Sequence, residues 1–578
     1  VLLKCSSLCG ETHPIHKRPF PSKPMAPLVF LVVCAATLTQ VSSKTFLALE
    51  PEPEAQESPN LLQELQRLLG SEHREDVELR AKRLEEVMRP TYLSLPKDAS
   101  GGVGPEAVRY LLHRIFVDRH GWFVRGLAMT GDSWNSSSAL DALKEHVHDE
   151  HSSIFDAHMG SSSSLHHTAV LAATLESLVH AETESRLHSS FRVAGVATDE
   201  DVTLAELMSA VDTYMLFYVA GVVNHTKANS KIVKRIFSKI SEAYPMWDET
   251  KAWARTTVEE AIVNKEHVSF ESSMQAIEVV GDRYGRWQNQ ECTDLKASLM
   301  ELEENSTGRI PLDVFYKGAL DGKWQFSESV AYLRQLGALD DSVPERPSVI
   351  IANYINGPSN CVAASKFYSV CCIDECEGLL GHLENRVAAP DASPEFLLEL
   401  VANLPSATVS APRQLSPLLV QRLQEIADSA GGAVPLHGRL FAQWLHHAYP
   451  RECPYPHVSG TTKPMTAREW KSETGEVSTM TSEMMVQQIE TIEACIADSN
   501  VSTETQVPWT ADEELFISRP SAPETSQKRR GRSGSSSVLR NMALFGAVFS
   551  MAVALVRGML SASDVVKPCG AKSAKYMV

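Results

Sequence analysis

The sequence predicts a mainly α-helical protein: an irregular multi-helix domain, then a Cys-rich helical module, a stalk and one C-terminal transmembrane helix. Apolar residues recur at three- and four-residue spacing through most of the chain, which is the period of one helix face. Alternating strand patterns are almost absent, while Ala, Leu, Glu and Lys, which favour helices, fill most windows. An uncharged apolar run near the C terminus predicts the membrane helix.

A short apolar segment after Met25 is typical of a secretory signal peptide. The run of about 12 apolar residues is too short to span a bilayer. It ends at the small polar residues Ser42 and Ser43. We therefore predict residues 1–24 as an untranslated leader and residues 25–43 as the signal peptide, with a buried core helix as the alternative. Residues 44–60 are rich in Glu and Pro, which predicts a disordered linker.

Residues 61–285 carry the amphipathic pattern of an α-helical domain. One helix is predicted over Leu61–Leu69 and a second over Val77–Met88, which Pro90 is expected to stop. Pro105 fits the first turn of the following helix. Helices are then predicted near 106–117, 139–157, 165–192, 203–223, 228–242, 248–264 and 270–285.

Residues 286–457 form the Cys-rich module, and the run from Leu302 to Phe315 within it resembles an EF-hand loop. Gly308 stands at the turn position of that loop. The resemblance implies a degenerate hand, because Val314 takes the position that supplies the bidentate carboxylate in a calcium-binding loop. It also implies that Ser348–Ile350 is the partner strand of a second, equally degenerate hand. The first ligand positions would be taken by Glu303, Asn305 and Thr307.

Further along the module, helices are predicted near 375–387, 394–404, 417–430 and 437–448. Four segments of the body also resemble segments of uncharacterised proteins from dinoflagellates and related algae. These segments are 119–127, 356–361, 367–384 and 435–456. The resemblance implies a common family and no particular activity.

Seven cysteines in the body favour disulfides, because the predicted signal peptide places the body in an oxidising compartment. We predict three disulfides with one cysteine left over, and adjacent Cys371 and Cys372 should each pair elsewhere. One alternative is a zinc site formed by Cys372, Cys376, His382 and one more ligand. Another is a Cys453 nucleophile with a nearby histidine as its base. The seven are Cys292, Cys361, Cys371, Cys372, Cys376, Cys453 and Cys495.

Four residues spaced four apart on one predicted helix are the most specific candidates for a metal site. Alternating carboxylates and imidazoles on one helix face are what di-iron and zinc sites in helical bundles use. This row lies opposite the leucines that should face the core, so a solvated polar face is the prediction and a metal site the alternative. The row consists of Glu176, His180, Glu184 and His188.

The C-terminal part of the chain predicts a stalk and a membrane anchor. Residues 458–537 are rich in Ser, Thr and Glu, with one helix predicted over 482–497. The uncharged run 541–556 would extend about 24 Å as a helix, and flanking arginines would complete a transmembrane helix over 538–560. Residues 561–578 form a short tail. Basic residues are almost equally frequent before and after this predicted membrane helix, so the positive-inside rule does not set its orientation. The predicted signal peptide places the body in the lumen, which gives type I topology.

Charge and glycosylation signals agree with a body on the lumenal side. The net charge is −18, and both ends of the chain are basic, so the body is more acidic still. An acidic body argues against nucleic-acid binding, which requires a basic face. The four Asn-X-Ser/Thr acceptor sites for N-glycosylation are Asn135, Asn224, Asn305 and Asn500.

These patterns predict a single-pass membrane protein of the secretory pathway or cell surface. Its acidic helical body would bind protein partners or serve a structural role. A metal-dependent enzyme with a His/Glu or Cys/His site is the alternative, and calcium or zinc is the cofactor left open. A soluble helical scaffold without membrane segments is a third reading.

Overall fold

The computed structural model describes residues 74–127, 162–222, 224–322, 326–362, 365–498 and 508–519. These residues are mainly helical, as the sequence predicts. The predicted leader, signal peptide, linker, membrane helix and tail all lie outside the described residues. The predicted helices near 61–69 and 139–157, with Asn135 and Asn500, lie outside them as well.

The N-terminal half of the described chain contributes seven helices. Their starts follow local chemistry: Ser164, Thr203, Asn229 and Ser269 each accept a hydrogen bond from a backbone N–H in the first turn. The helices are α1 (Arg74–Leu93), α2 (Pro105–His120), α3 (Leu165–Ala194), α4 (Leu204–Val219), α5 (Ser230–Ala243), α6 (Trp247–Ala261) and α7 (Phe270–Met300).

Nine further helices follow in the C-terminal half. Pro394 and Pro417 each occupy the first turn of a helix, where a missing N–H costs nothing. The helices are α8 (Leu312–Leu320), α9 (Val330–Gln335), α10 (Ile351–Ile355), α11 (Glu375–Val387), α12 (Pro394–Ala402), α13 (Pro417–Ser429), α14 (Arg439–Ala448), α15 (Ala467–Thr474) and α16 (Ser482–Asp498).

The strands are short, and all of their pairings are antiparallel. None exceeds three residues, so they connect helical parts without forming a layer of their own. β1 (Trp122–Val124) pairs with β5 (Tyr368–Val370), β4 (Ser348–Ile350) lies between β2 (Arg309–Pro311) and β3 (Leu339–Asp340), and β6 (Asp391–Ala392) pairs with β7 (Val434–Pro435).

Buried apolar residues form three cores. The first core joins α1–α7 with β1 and β5 around residues such as Tyr214 and Tyr284. The second core joins the end of α7 with α8–α10, α15 and α16, around Phe315 and Tyr332. The third core joins α11–α14 around Trp444. Helix α7 belongs to the first two cores, so it connects them covalently.

Two helix ends differ from the sequence prediction. Helix α1 continues through Pro90 to Leu93 instead of stopping at the proline. Tyr92 just beyond Pro90 is buried in the first core, so tertiary packing compensates for the hydrogen bond that proline cannot make. Helix α7 continues to Met300, whereas the predicted helix and domain boundary end at residue 285. The predicted boundary therefore falls in the middle of a 31-residue helix.

Gly285, the last residue of the predicted helix, lies where α7 crosses the end of α2. A Cβ at this position would lie 2.5 Å from the carbonyl oxygen of His120 and 2.9 Å from the Cα of Gly121. Gly121 itself ends α2 with a φ of 67°. The two glycines therefore let the end of α2 cross α7 at backbone contact. Gly285 permits close packing and does not end the helix.

We expect Gly285→Ala to lower the free energy of unfolding by about 2 kcal/mol, because the added methyl group must displace backbone atoms. Gly281→Ala is the matched control on the same helix, where an added Cβ meets nothing within 4 Å. Alanine is favoured over glycine in a helix by about 1 kcal/mol, so this control should gain stability. Urea unfolding followed by circular dichroism measures both. Equal effects would contradict the close crossing.

The described part of the predicted stalk is folded onto the body. Trp470 of α15 and Ile492 of α16 are buried in the second core. Ile517 is buried in the first core and Trp509 packs against the third. The compact region therefore does not end near residue 457. The Ser- and Thr-rich composition misled the prediction, because several of these residues cap helices: Thr466 forms a capping box with Glu469.

Candidate functional site

The segment from Ser348 to Glu384 contacts all three cores and is the centre of the candidate site. Its strand β4 pairs with β2 in the second core, with Val349 opposite Ile310. Its strand β5 pairs with β1, with Ser369 opposite Phe123. Its helix α11 buries Leu383 in the third core. A short, Cys-rich segment therefore holds together parts of the chain that are far apart in sequence.

Six cysteines form three disulfides around this segment. Cys292 of α7 pairs with Cys372, Cys361 pairs with Cys371, and Cys376 of α11 pairs with Cys453. The adjacent Cys371 and Cys372 thus pair with different partners, as predicted. Cys495 is disulfide-bonded too, so the prediction that one cysteine is left over is wrong.

The disulfides also decide against two alternative roles for the cysteines. A zinc ligand or a nucleophile must be a thiolate, and a sulfur in a disulfide is not available for either role. Cys372 and Cys376 have different disulfide partners, so they do not form a zinc site with His382. Cys453 is paired as well, so it is not a nucleophile beside the neighbouring histidines.

The loop between α7 and α8 holds an arginine against its acidic side chain. Glu303 Oε1 accepts a hydrogen bond from Gly308 N at 2.5 Å, and Glu303 Oε2 lies 2.7 Å from Nε of Arg451. Arg451 Nη2 also donates to Ser306 Oγ at 3.1 Å. The Glu303 side chain is only 2% exposed. A guanidinium therefore provides the positive charge that this buried carboxylate requires.

The other predicted ligand positions of this loop do not converge with Glu303. Asn305 is exposed and has a φ of 55°. Thr307 donates its hydroxyl to the carbonyl oxygen of Glu304 at 2.9 Å. Glu304 pairs with Arg346 from the loop before β4. Glu303 and Glu304 therefore each have an arginine of their own.

The segment after α14 packs against the loop between α7 and α8 and against residues of α10 and of the turn after α9. A Cβ on Gly308 would collide with the carbonyl oxygen of Pro450, so this segment lies directly on the loop backbone. The side chain of Asn353 donates to the carbonyl oxygen of Tyr455 and accepts from its N–H, at 2.9 and 2.7 Å. His457 Nε2 lies 2.7 Å from the carbonyl oxygen of Gly337. These contacts join the end of α14, in the third core, to the loop before β2, to α10 and to the turn after α9.

The predicted metal row on α3 is divided among different partners. Glu176 lies 3.2 Å from His120 Nε2, whereas His180 pairs with Glu278 of α7. Glu184 and His188 are 3.9 Å apart, and both side chains are half exposed. Within the described ranges, no group of three or more His, Cys, Asp and Glu side chains is arranged to hold a metal ion.

His120 is the one imidazole in this area that lies between two carboxylates. Its Nδ1 is 3.0 Å from Asp282 and its Nε2 is 3.2 Å from Glu176. Burial lowers the pKa of His120, but hydrogen bonds and charges of Asp282 and Glu176 outweigh it and raise the pKa overall. The ring stacks on Trp122 at 4.1 Å. The imidazolium therefore joins α2, α3 and α7.

A buried polar cluster between α2 and α11 was not predicted from the sequence. Tyr110 Oη donates to Glu384 Oε1 at 2.5 Å, and His437 Nε2 lies 2.8 Å from the same oxygen. Glu384 is fully buried, and its Oε2 has no hydrogen-bond partner. Burial raises the pKa of the Tyr110 hydroxyl, followed in size by the charge of Glu384. This cluster joins the first core to the third.

A second acidic pair extends the cluster along α11. Glu377 lies 2.8 Å from His113 Nε2 and 3.3 Å from Arg114 Nη1. Burial raises the pKa of Glu377, but His113 and Arg114 outweigh it and lower the pKa overall. Asp374 caps α11 by accepting from Cys376 N at 2.9 Å. Burial, followed by the charge of Glu377, raises the pKa of Asp374 to about 7.

The sequence contains a signal for this cluster, although only in hindsight. Tyr110, His113 and Arg114 lie among apolar residues of one helix, and Glu377 and Glu384 lie seven residues apart on one face of another. Nothing in the sequence indicates that these two faces meet, because they are more than 260 residues apart.

Two predicted glycosylation positions lie within the described residues. Asn224 precedes a single turn of 3₁₀ helix, and Asn305 lies at the tip of the loop before β2. Both side chains are exposed. Their exposure fits the prediction and leaves glycosylation itself as a prediction.

No protein-family model, curated protein or solved structure matches this chain. The resemblance to algal proteins therefore stays a prediction. In the described parts of the chain, no helix combines the length and apolar character needed to cross a membrane.

Proposed function

We propose that this chain is a single-pass, type I membrane protein of the secretory pathway or cell surface. Its acidic helical body is a disulfide-stapled domain with a structural or protein-binding role. The observation that carries the proposal is the pairing of six body cysteines in three disulfides. Disulfides persist in oxidising compartments and are rare in the reducing cytosol. The membrane anchor is the apolar run over residues 541–556.

The positions of the disulfides support a structural role. Two of the three close loops of about 80 residues, Cys292–Cys372 and Cys376–Cys453. Each restricts the unfolded chain and stabilises the folded state by about 4 kcal/mol. Cys292–Cys372 lies in the second core and Cys376–Cys453 in the third, and both hold the segment whose strand β5 pairs with β1 of the first core. The body is therefore held in one arrangement, as a rigid binding surface or spacer requires.

The loop between α7 and α8 and the loop between α9 and α10 form an EF-hand-like module that needs no calcium. Helix, loop, short strand and helix occur twice in succession, and the two strands pair antiparallel through β2 and β4. Arg451 pairs with Glu303 of the loop between α7 and α8. Arg346, from the loop between α9 and α10, pairs with Glu304 of the same first loop. Guanidinium groups take the charge-balancing role of a cation. The module thus serves as a folded part of the interface between the cores.

Mapping of the disulfides in the full chain tests the proposal. We expect peptides carrying Cys292–Cys372, Cys361–Cys371 and Cys376–Cys453 to be recovered when the chain is translocated into microsomes and digested without reduction. The same sample should shift in gel mobility after glycosidase treatment, through Asn224 and Asn305. Chain made without microsomes, with free thiols, is the control. Alkylation of all six cysteines in the microsomal sample would refute the proposal.

A further inference from the structure

Residues 508–519, called the strap below, cross the third core in an extended form. Leu515 forms an isolated antiparallel bridge with Gly438. Arg439 N donates to the carbonyl oxygen of Glu514 at 2.9 Å, and Phe516 N donates to that of His437 at 2.9 Å. The strap is therefore bound through its main chain, like a strand added to a sheet edge.

The fully buried Arg439 donates hydrogen bonds to main-chain carbonyl oxygens of the strap. Arg439 Nε donates to the carbonyl oxygen of Asp512 at 2.7 Å, and Nη2 donates to that of Thr510 at 3.3 Å. Gln443 Nε2 also donates to the carbonyl oxygen of Thr510, at 3.2 Å. Arg439 is 0% exposed, and the body supplies two acceptors for Nη1, Gln443 Oε1 at 3.2 Å and the carbonyl oxygen of Pro456 at 3.1 Å, while Nε and Nη2 depend on the strap. A guanidinium placed this way requires a peptide backbone opposite it.

Side chains of the strap occupy defined positions on the body. Glu513 Oε1 accepts from Leu440 N at 3.1 Å, at the N terminus of α14 where a carboxylate is favoured. The Trp509 ring stacks on His447, with centroids 5.5 Å apart, and Arg422 Cζ lies 5.0 Å from the centroid of the Trp509 ring. Ile517 is 3% exposed in the first core. Aromatic, acidic and aliphatic positions thus follow in a fixed order.

The end of the strap reaches the first core and strand β6. Ser518 N donates to Glu106 Oε2 on the first turn of α2 at 2.5 Å. Arg519 forms an ion pair with Asp391. The strap therefore contacts both α2 and strand β6, which follows α11.

We propose that the body carries a peptide-binding groove along His437–Leu440 and α14, and that the strap is its built-in ligand. The groove takes an extended acidic peptide with an aromatic residue at its start and an aliphatic anchor four residues after the glutamate that caps α14. In this chain the contacts of the strap are sufficient to hold it on the body, whether or not the connection through residues 499–507 is intact. A cut between α16 and the strap would leave the two parts associated.

A cut in place tests the groove in the full chain. A site for a sequence-specific protease is inserted within residues 499–507, and Cys495→Ser is present throughout so that Cys495 provides no covalent link. After cleavage in detergent, we expect the C-terminal fragment to elute with the body in size-exclusion chromatography at about 1 μM. Separation of the fragment from the body after the cut, at this concentration, would overturn the proposal.

Peptides identify the contacts without changing the body. A synthetic peptide of residues 508–519 in excess should displace the fragment from the cut chain. The same peptide with Ile517→Asp or Glu513→Gln should compete about tenfold more weakly or worse, since each change removes one anchor. Equal competition by the wild-type and Ile517→Asp peptides would refute the ordered anchors. Circular dichroism of the chain before and after the cut checks that the body stays folded.

Discussion

Arg451→Met should lower the free energy of unfolding by about 3–5 kcal/mol, the range for removing one partner of a buried ion pair. Methionine keeps the apolar stem of the side chain but leaves the Glu303 carboxylate, 2% exposed, without its guanidinium. Glu303→Gln on the Arg451→Met background should recover most of the loss, because no buried charge remains. Chemical unfolding of the full chain measures all three proteins.

Arg346→Met is the matched control for Arg451→Met. Arg346 also pairs with a glutamate of the first loop, Glu304, but the two side chains are 31% and 37% exposed. Exposed pairs contribute about 0–1 kcal/mol, so this substitution should cost little. Calcium chloride should leave the unfolding midpoint of the wild-type chain unchanged. Comparable losses in the two variants, or a calcium-dependent midpoint, would contradict an arginine-closed loop.

Asp374→Asn should remove a pH dependence of stability. The folded-state pKa of Asp374 is raised to about 7 by burial and the charge of Glu377, against 3.8 for an ordinary aspartate. Between these values the folded chain holds a proton that the unfolded chain releases. The contribution of this carboxyl to stability is therefore present at low pH and is lost as pH rises towards 7. The two pKa values differ by about three units, so the loss is at most about 4 kcal/mol, at about 1.4 kcal/mol per unit.

Asparagine suits this test because its side-chain oxygen can still accept the hydrogen bond from Cys376 N that caps α11. We expect the two proteins to differ little at about pH 4 and the variant to be the more stable at about pH 8. The measured quantity is the difference in unfolding free energy between variant and wild type as a function of pH. The contributions of the other titrating groups cancel in this difference, because both proteins contain them. Parallel curves across that range would contradict the raised pKa.

Local sequence signals were sufficient for most helices and insufficient for their ends. Periodicity predicted α3 and α11 closely, because the apolar stripe of a helix is a local pattern. Pro90 was taken as a stop because proline disfavours helices, and the predicted helix and domain ended at Gly285. In the structure each lies within a helix that packing against another element sustains. The same limit applies to the stalk, whose polar composition concealed buried Trp470 and Ile492.

The candidate site was predictable only where its chemistry is local. The EF-hand-like run contains its turn glycine and its first ligand positions within six residues, so it could be found by inspection. Arg451, which neutralises Glu303, lies 148 residues away and has no sequence pattern of its own. The metal row on α3 has the right residue types, but their partners on α2 and α7 separate them.

The sequence by itself determined the helical class, the acidic surface and the cysteines available for disulfides. These properties follow from composition and from periods of a few residues, which do not depend on distant contacts. The tertiary structure alone decided which cysteines pair, which arginine faces Glu303 and which carboxylates become buried. Burial and charge pairing are sums over neighbours from several segments, such as Glu384 between Tyr110 and His437. Only the assembled fold brings those neighbours together.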